Sequence, residues 1–348
     1  MTQVQGVEAN PVILSVNDLR VEFDTYGGIV KAVRGVNFDV RSGKTLAIVG
    51  ESGCGKSVTV QSIMGLIPMP PGRITSGTAF LEGVDIIKQR IVDGRDIRGD
   101  RVGMIFQDPM SSLNPTMRVG DQISETLHVH RGYTRKQAFA RAVDLLAETH
   151  IPEPATRARQ YPFEFSGGML QRAMIAMAIA CEPSILIADE PTTAIDVTTQ
   201  AQILDLLLEL QNKTNMAIVL ITHNLGVVAR MADDVAVMYA GEIVEKGDTD
   251  DIFYRASHPY TLGLQGAMPS NDPERKQGLQ PIEGTPPDMF IAPIGCAYYA
   301  RCPYAMRLCA ENYPQKFSLN PNHYANCWLH HESASLEIAP QLFRGATP

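Results

Sequence analysis

The sequence predicts an α/β protein built on a mostly parallel sheet, followed by a small, irregular, cysteine-rich C-terminal extension. Three observations carry this expectation. From Val12 to about Gln265, short β-branched runs alternate with longer helical patterns, as in strands joined by crossover helices. Four of those runs are continuously apolar, and each is followed at once by polar residues. Four of the six cysteines crowd into the last fifth of the chain, beyond a stretch whose prolines deny it long helices.

At 348 residues and 45% apolar content the chain can bury a large core, enough for about two domains. The composition suggests a disordered N-terminus over residues 1–11 and a main domain over 12–265 with a helical insertion at about 108–175. A proline-rich linker and four-cysteine module would follow over 266–335, then a tail over 336–348. The longest apolar runs, such as Met216–Ile221, fall far short of the roughly 20 residues a membrane-spanning helix needs. Met1–Pro11 shows no basic region leading into an apolar stretch, so the chain is expected to stay in the cytosol. Acidic residues outnumber basic ones, 38 to 30, with no Lys/Arg run, which argues against a nucleic-acid partner.

The four apolar runs are Thr45–Val49, Val102–Phe106, Ile185–Ala188 and Ala217–Ile221. Unbroken apolar character is what strands buried on both faces require. Open α/β sheets bind ligands beyond the carboxyl ends of their strands. The residues there are the Gly50 loop, Gln107, Asp189 with Glu190, and His223. Between Asp108 and Ser166 the pattern turns helical. Thr134–Thr149 carries an apolar stripe of Ala138, Ala142, Leu145 and Leu146, read as core. Val235–Tyr239 and Ile243–Glu245 then form a hairpin through Ala240-Gly241.

Gly50-Glu51-Ser52-Gly53-Cys54-Gly55-Lys56-Ser57 matches the phosphate-loop pattern, with a strand before it and a helix after it, and with Val58 these residues are expected to bind ATP. Its glycines let successive N–H groups turn inward around phosphate oxygens at the positive end of a helix. Lys56 would meet the β- and γ-phosphates, and Ser57 would offer a hydroxyl to Mg²⁺. Cys54 would be a small spacer whose thiol, close to the phosphates, predicts sensitivity to alkylation. The apolar strand at Ile185 delivers two carboxylates: Asp189 would orient a metal-bound water, and Glu190 would act as the general base toward the attacking water.

Phe165-Ser166-Gly167-Gly168-Met169, with Gln107, Thr193–Asp196 and His223 in order, resembles the motif set of the ABC ATPases. The resemblance implies an ABC-transporter nucleotide-binding domain: a P-loop NTPase core with an antiparallel β subdomain and an inserted helical subdomain. It also implies a composite site in which Ser166, Gly167, Gly168 and Met169 serve the ATP of a partner subunit. His223 would contact the γ-phosphate, Gln107 and Asp189 would attend Mg²⁺, and Asp196 would belong to the D-loop. An aromatic near the N-terminus would stack on adenine, with Tyr26 first and Phe23 second. Three positions depart from the usual pattern: Met169 replaces glutamine, Ile195 replaces leucine, and Asn224 replaces aspartate. Met169 and the Gln107–Pro115 segment are similar to those of oligopeptide/dipeptide importers. That branch implies a second, related ATPase, two transmembrane permease subunits and an extracytoplasmic binding protein, with the ATPase on the cytoplasmic face of the bacterial inner membrane. Nickel or glutathione importers of the same branch are the nearest alternatives for the substrate. Soluble ABC ATPases of translation or DNA repair are a different class, as is an ATP-binding module without turnover.

Cys296, Cys302, Cys309 and Cys327 could hold tetrahedral zinc or an iron–sulfur cluster, and their spacing does not choose between them. The tail resembles the C-terminal extension of peptide-importer ATPases, which implies a [4Fe–4S] cluster. His323, His330 and His331 lie nearby and, as surface residues, need no role. Cys181 ends an apolar helix and is read as a buried small residue.

Overall fold

The computed structural model describes residues 10–89, 91–92, 95–193, 195–267 and 281–334. The expected tail (336–348), residues 1–9 of the N-terminus, residues 268–280 of the expected linker and Ala194 of the expected D-loop lie outside these. The chain forms two compact units interleaved in sequence: 1–15, 39–45 and 80–221 make one, and 16–38, 46–79 and 222–348 the other.

The first unit holds three of the four expected parallel strands. Ile185–Asp189 lies between Val102–Ile105 and Ala217–Thr222, parallel to both, with Ile185 level with Val102 and with Ala217. Every residue of these strands is buried, which is why their sequences show no polar alternation. Helices Val119–Arg131 and Arg135–Glu148 pack together. The second begins with a capping box, in which Thr134 and Gln137 exchange hydrogen bonds. Its buried residues are Ala138, Ala142, Leu145 and Leu146, the expected stripe, confirmed as core. Gly103 admits no side chain, because an added Cβ would overlap the carbonyl oxygen of Ala178.

In the second unit the residue run Leu46–Val49 of the phosphate-loop strand pairs in parallel with Asp234–Tyr239. That strand turns back antiparallel into Glu242–Asp248, as the hairpin pattern predicts. Ala240 and Gly241 make the turn with φ of 47° and 84°, the left-handed pair that a two-residue hairpin demands. Strands Gly28–Arg41 and Gly72–Leu81 flank Val12–Thr25 in a separate sheet. The two-residue link at Tyr26-Gly27 makes Val12–Thr25 and Gly28–Arg41 antiparallel.

Residues 281–334 are part of this second unit. Tyr324–Ala325 adds to the edge of Glu242–Asp248 as an antiparallel strand, and Phe317–Ser318 adds beyond it. Tyr298 is 3% exposed, its ring 5.2 Å from that of Tyr239 and 5.4 Å from that of Tyr260. The small core of the cysteine module is thereby continuous with the core around the 234–248 hairpin.

Candidate functional site

The phosphate-loop residues sit where a buried strand ends and helix Lys56–Ile63 begins. Gly55 caps that helix in a left-handed conformation, φ 103°, with its Cβ position filled by the carbonyl oxygen of Ala32. Lys56 is 5% exposed and folds back over the loop, donating to the carbonyls of Gly50 at 2.8 Å and Glu51 at 2.9 Å. An ammonium has three rotatable donors, so the same group can turn to phosphate oxygens without leaving the loop. The Glu51 N–H donates to the Tyr260 hydroxyl at 2.8 Å. Cys54 is 6% exposed, the small packed spacer expected, and burial pushes its thiol up in pKa, which weighs against ready alkylation. Tyr26 stands fully exposed at the strand turn, whereas Phe23 is half-buried. His223 is exposed directly beyond the strand ending at Thr222.

In the first unit, Asp189 is 3% exposed at its strand end. Glu190 follows in the left-handed region, φ 47°, a conformation that costs an L-residue about 1–2 kcal/mol. Strain of this kind persists only where the surroundings enforce it. Here the Glu190 N–H donates to the Ile221 carbonyl at 2.9 Å, while Gln171, 1% exposed, donates to the Pro191 carbonyl at 2.7 Å. The carboxylate accepts from Gln107 Nε2 at 3.1 Å and from Thr193 Oγ1 at 2.9 Å. Gln107 and Glu190, 83 residues apart, are thus brought into direct contact.

The remaining motif residues begin helices. Ser166 is exposed and caps helix Gly167–Ala178, its hydroxyl accepting from the Met169 N–H at 3.3 Å. Gly167 is exposed, and Gly168 and Met169 are half-buried. Asp196 caps Val197–Thr214, and the Thr199 N–H holds its carboxyl below the usual range. Asn224 caps Leu225–Met231 through the Gly226 N–H at 2.9 Å. The aspartate-to-asparagine departure therefore keeps a competent cap.

Cys296, Cys302, Cys309 and Cys327 all line one small cavity, and the Cys296 N–H donates to the Cys309 carbonyl at 2.7 Å. Burial pushes Cys296 up to about 12 and Cys302 up to about 11, and raises Cys327 as well. Among the described residues, no three His, Cys, Asp or Glu side chains are gathered in a way that could hold a metal ion. Cys181, 1% exposed, is the buried residue expected. The histidines are not all surface residues: His323 is 3% exposed, with Nε2 2.8 Å from the fully buried Glu245. His330 meets the Ser257 carbonyl at 2.6 Å, and of the three only His331 is exposed.

Sequence reasoning missed Arg301, which forms a two-pronged ion pair with Glu51 of the phosphate loop at 2.6 and 2.9 Å. Only its place beside Cys302 hinted at a role.

The ABC transporter family model matches residues 33–193, and the model described as the C-terminal region of oligopeptide/dipeptide transporters matches residues 244–309. The chain is 53% identical to the dipeptide transport ATP-binding protein DppD of Bacillus subtilis, over 92% of this chain and 96% of that protein. It is 53% identical to the oligopeptide transport ATP-binding protein OppD of the same organism, over 95% and 93%. With OppD of Salmonella typhimurium it shares 48% identity over 94% and 96%. Among solved structures, the dimeric ATP-binding cassette MJ0796 bound to ADP and Pi superposes with a TM-score of 0.60 at 26% identity, over 68% of this chain and 98% of that one. No helix among the described residues is long and apolar enough to cross a membrane. Identity at this level along nearly the whole length shows that the chain belongs to the ABC transporter ATP-binding proteins of the oligopeptide/dipeptide family.

Proposed function

We propose that this chain binds and hydrolyses ATP to energise the uptake of oligopeptides or dipeptides through an ABC importer. The ATPase domain is assigned to residues 12–265, with the helical subdomain at about 108–175 and the four-cysteine module after it. Residues 50–58 bind the triphosphate and Lys56 turns from the loop carbonyls to its oxygens, while Tyr26 stacks on adenine. Ser57, Gln107 and Asp189 are the residues that would offer oxygens to Mg²⁺, a hard cation that would neutralise charge on the phosphates. Because Gln107 uses its amide N–H₂ on Glu190, its carbonyl oxygen is the end left for the metal. Glu190 polarises the attacking water and His223 contacts the γ-phosphate.

The observation that carries the catalytic reading is the strained, hydrogen-bonded Glu190. A general base must be held in place before substrate arrives, and here Gln107 and Thr193 hold the carboxylate while the backbone is fixed at φ 47°. The exposed helix start at Ser166 supports a role outside this chain's own site, where N–H groups and the helix dipole could receive a partner's γ-phosphate. Partners are therefore a second cassette, related but distinct, two permease subunits and an extracytoplasmic binding protein, with the chain peripheral to the cytoplasmic face of the membrane. The names of the relatives support peptides as cargo over nickel or glutathione.

For the cysteine module the reading is a [4Fe–4S] cluster on Cys296, Cys302, Cys309 and Cys327. A cluster takes one thiolate per iron, and the four thiols lining one cavity support that reading. When bound, the cluster would supply a covalent brace across the module.

The test is Glu190→Gln in the assembled transporter, which should retain ATP while hydrolysis falls at least about 100-fold. Normal turnover would remove the base role. Stimulation of the wild-type ATPase by nickel or glutathione, but not by peptides, would overturn the cargo.

A further inference from the structure

Arg301 lies 250 residues from Glu51, yet its side chain is only 4% exposed and every N–H of its guanidinium is used. Nη1 and Nη2 hold the two carboxylate oxygens of Glu51 at 2.6 and 2.9 Å. Nη1 also reaches the Tyr239 hydroxyl at 3.3 Å, Nη2 the Ile282 carbonyl at 3.3 Å, and Nε the Glu283 carbonyl at 3.0 Å. Glu51 is thereby held on three sides, since its N–H is bound by Tyr260 and its carbonyl by Lys56. Pro286, Pro287 and Met289 line the same small cavity as residues 51–54, so the contact between the C-terminal segment and the loop is not a single bond.

We infer that Arg301 is a positioning residue for the phosphate loop, through which the cysteine module sets the affinity for nucleotide. Two physical effects act together. A planar guanidinium fixes a carboxylate in both direction and register, so the backbone from Gly50 to Cys54 cannot turn freely. A carboxylate in a triphosphate-binding loop repels the ligand, and Arg301 neutralises it. With Arg301 removed, Glu51 would be a mobile, uncompensated anion beside the phosphates. The inference rests on residues 50–57 being the phosphate loop.

The experiment measures ATP hydrolysis in the assembled transporter, and binding of a fluorescent ATP analogue to the full chain, for Arg301→Ala, Glu51→Gln and the pair combined. Arg301→Ala should raise KM for ATP and the analogue Kd about tenfold, in the range usual for coupling between sites, while kcat at saturating ATP stays within about twofold. The double variant should return to within about threefold of Glu51→Gln alone, because the repelling carboxylate is gone. An unchanged KM in Arg301→Ala, or a double variant as impaired as Arg301→Ala, overturns the inference. Should Arg301→Ala not purify folded, Arg301→Lys replaces it: the charge remains but the two-pronged grip is lost, and an unchanged KM again overturns it. Lys56→Ala serves as control. If it still binds the analogue normally, the phosphate-loop assignment fails, not the role of Arg301.

Discussion

Replacing Gly50 and Gly53 by alanine separates two reasons for which a phosphate loop needs glycine. At Gly50 the added Cβ would fall inside 3 Å of the Met238 carbonyl oxygen and 2.9 Å from Cys54 Sγ. A non-bonded carbon needs about 3.5 Å, so the strand carrying Met238 would have to retreat by more than about 1 Å. That strand is tied on one side to Leu46–Val49 and on the other to Glu242–Asp248, and its neighbouring side chains are fully buried. Overpacking against such a frame costs about 3 kcal/mol. At Gly53 nothing lies within 4 Å of the Cβ position, and the penalty is only that of φ +78° for an L-residue, about 1 kcal/mol. Urea unfolding of the full chain, followed by circular dichroism, should therefore place Gly50→Ala about 2 kcal/mol below Gly53→Ala, with Gly53→Ala about 1 kcal/mol below wild type. Equal losses would refute the packing argument, and a larger loss at Gly53 would reverse it.

Glu245 accepts the N–H groups of Ser257 and His258, the Thr261 hydroxyl and the His323 ring, all from full burial. Glu245→Ala strands those donors and should cost about 4 kcal/mol in urea unfolding; a loss below about 1 kcal/mol would show that water or rearrangement replaces the carboxylate. Burial, with the nearby His330, lowers His258 to about 3. Its native value is thus below the unfolded one, so the stability it permits is full above about pH 6.5 and drains as pH falls toward 3. Between pH 7 and pH 5 the loss is about 2 kcal/mol, and His258→Asn, which can keep the helix cap given by Nδ1 to the Tyr260 N–H, should flatten that slope. An unchanged slope would assign the acid sensitivity to other groups. Replacement of Cys302 by alanine should remove the broad visible absorption and bound iron of anaerobically purified protein. A wild-type chain without iron, or a variant spectrum identical to wild type, would sink the cluster.

The residues by themselves determined whatever depends on a short window. Ile185–Asp189 declared itself a doubly buried strand because nothing polar interrupts it. The spacing of Ala138, Ala142, Leu145 and Leu146 within Thr134–Thr149 marked a helix and the face it buries. The glycine pattern of residues 50–57 and the paired carboxylates at 189 and 190 were equally local, since their chemistry needs fixed residue types at fixed spacing. Tertiary structure alone decided which distant groups meet. Nothing near Arg301 in sequence points to Glu51, and nothing near His323 points to Glu245, so a histidine expected on the surface is buried and an arginine beside a cysteine holds the phosphate loop. It also decided that Cys54 is buried and that Glu190 is strained. A side chain's propensity is set by its neighbours along the chain, whereas its burial and its ionic partner are set by what the folded backbone packs against it, and that packing has no short-range signature.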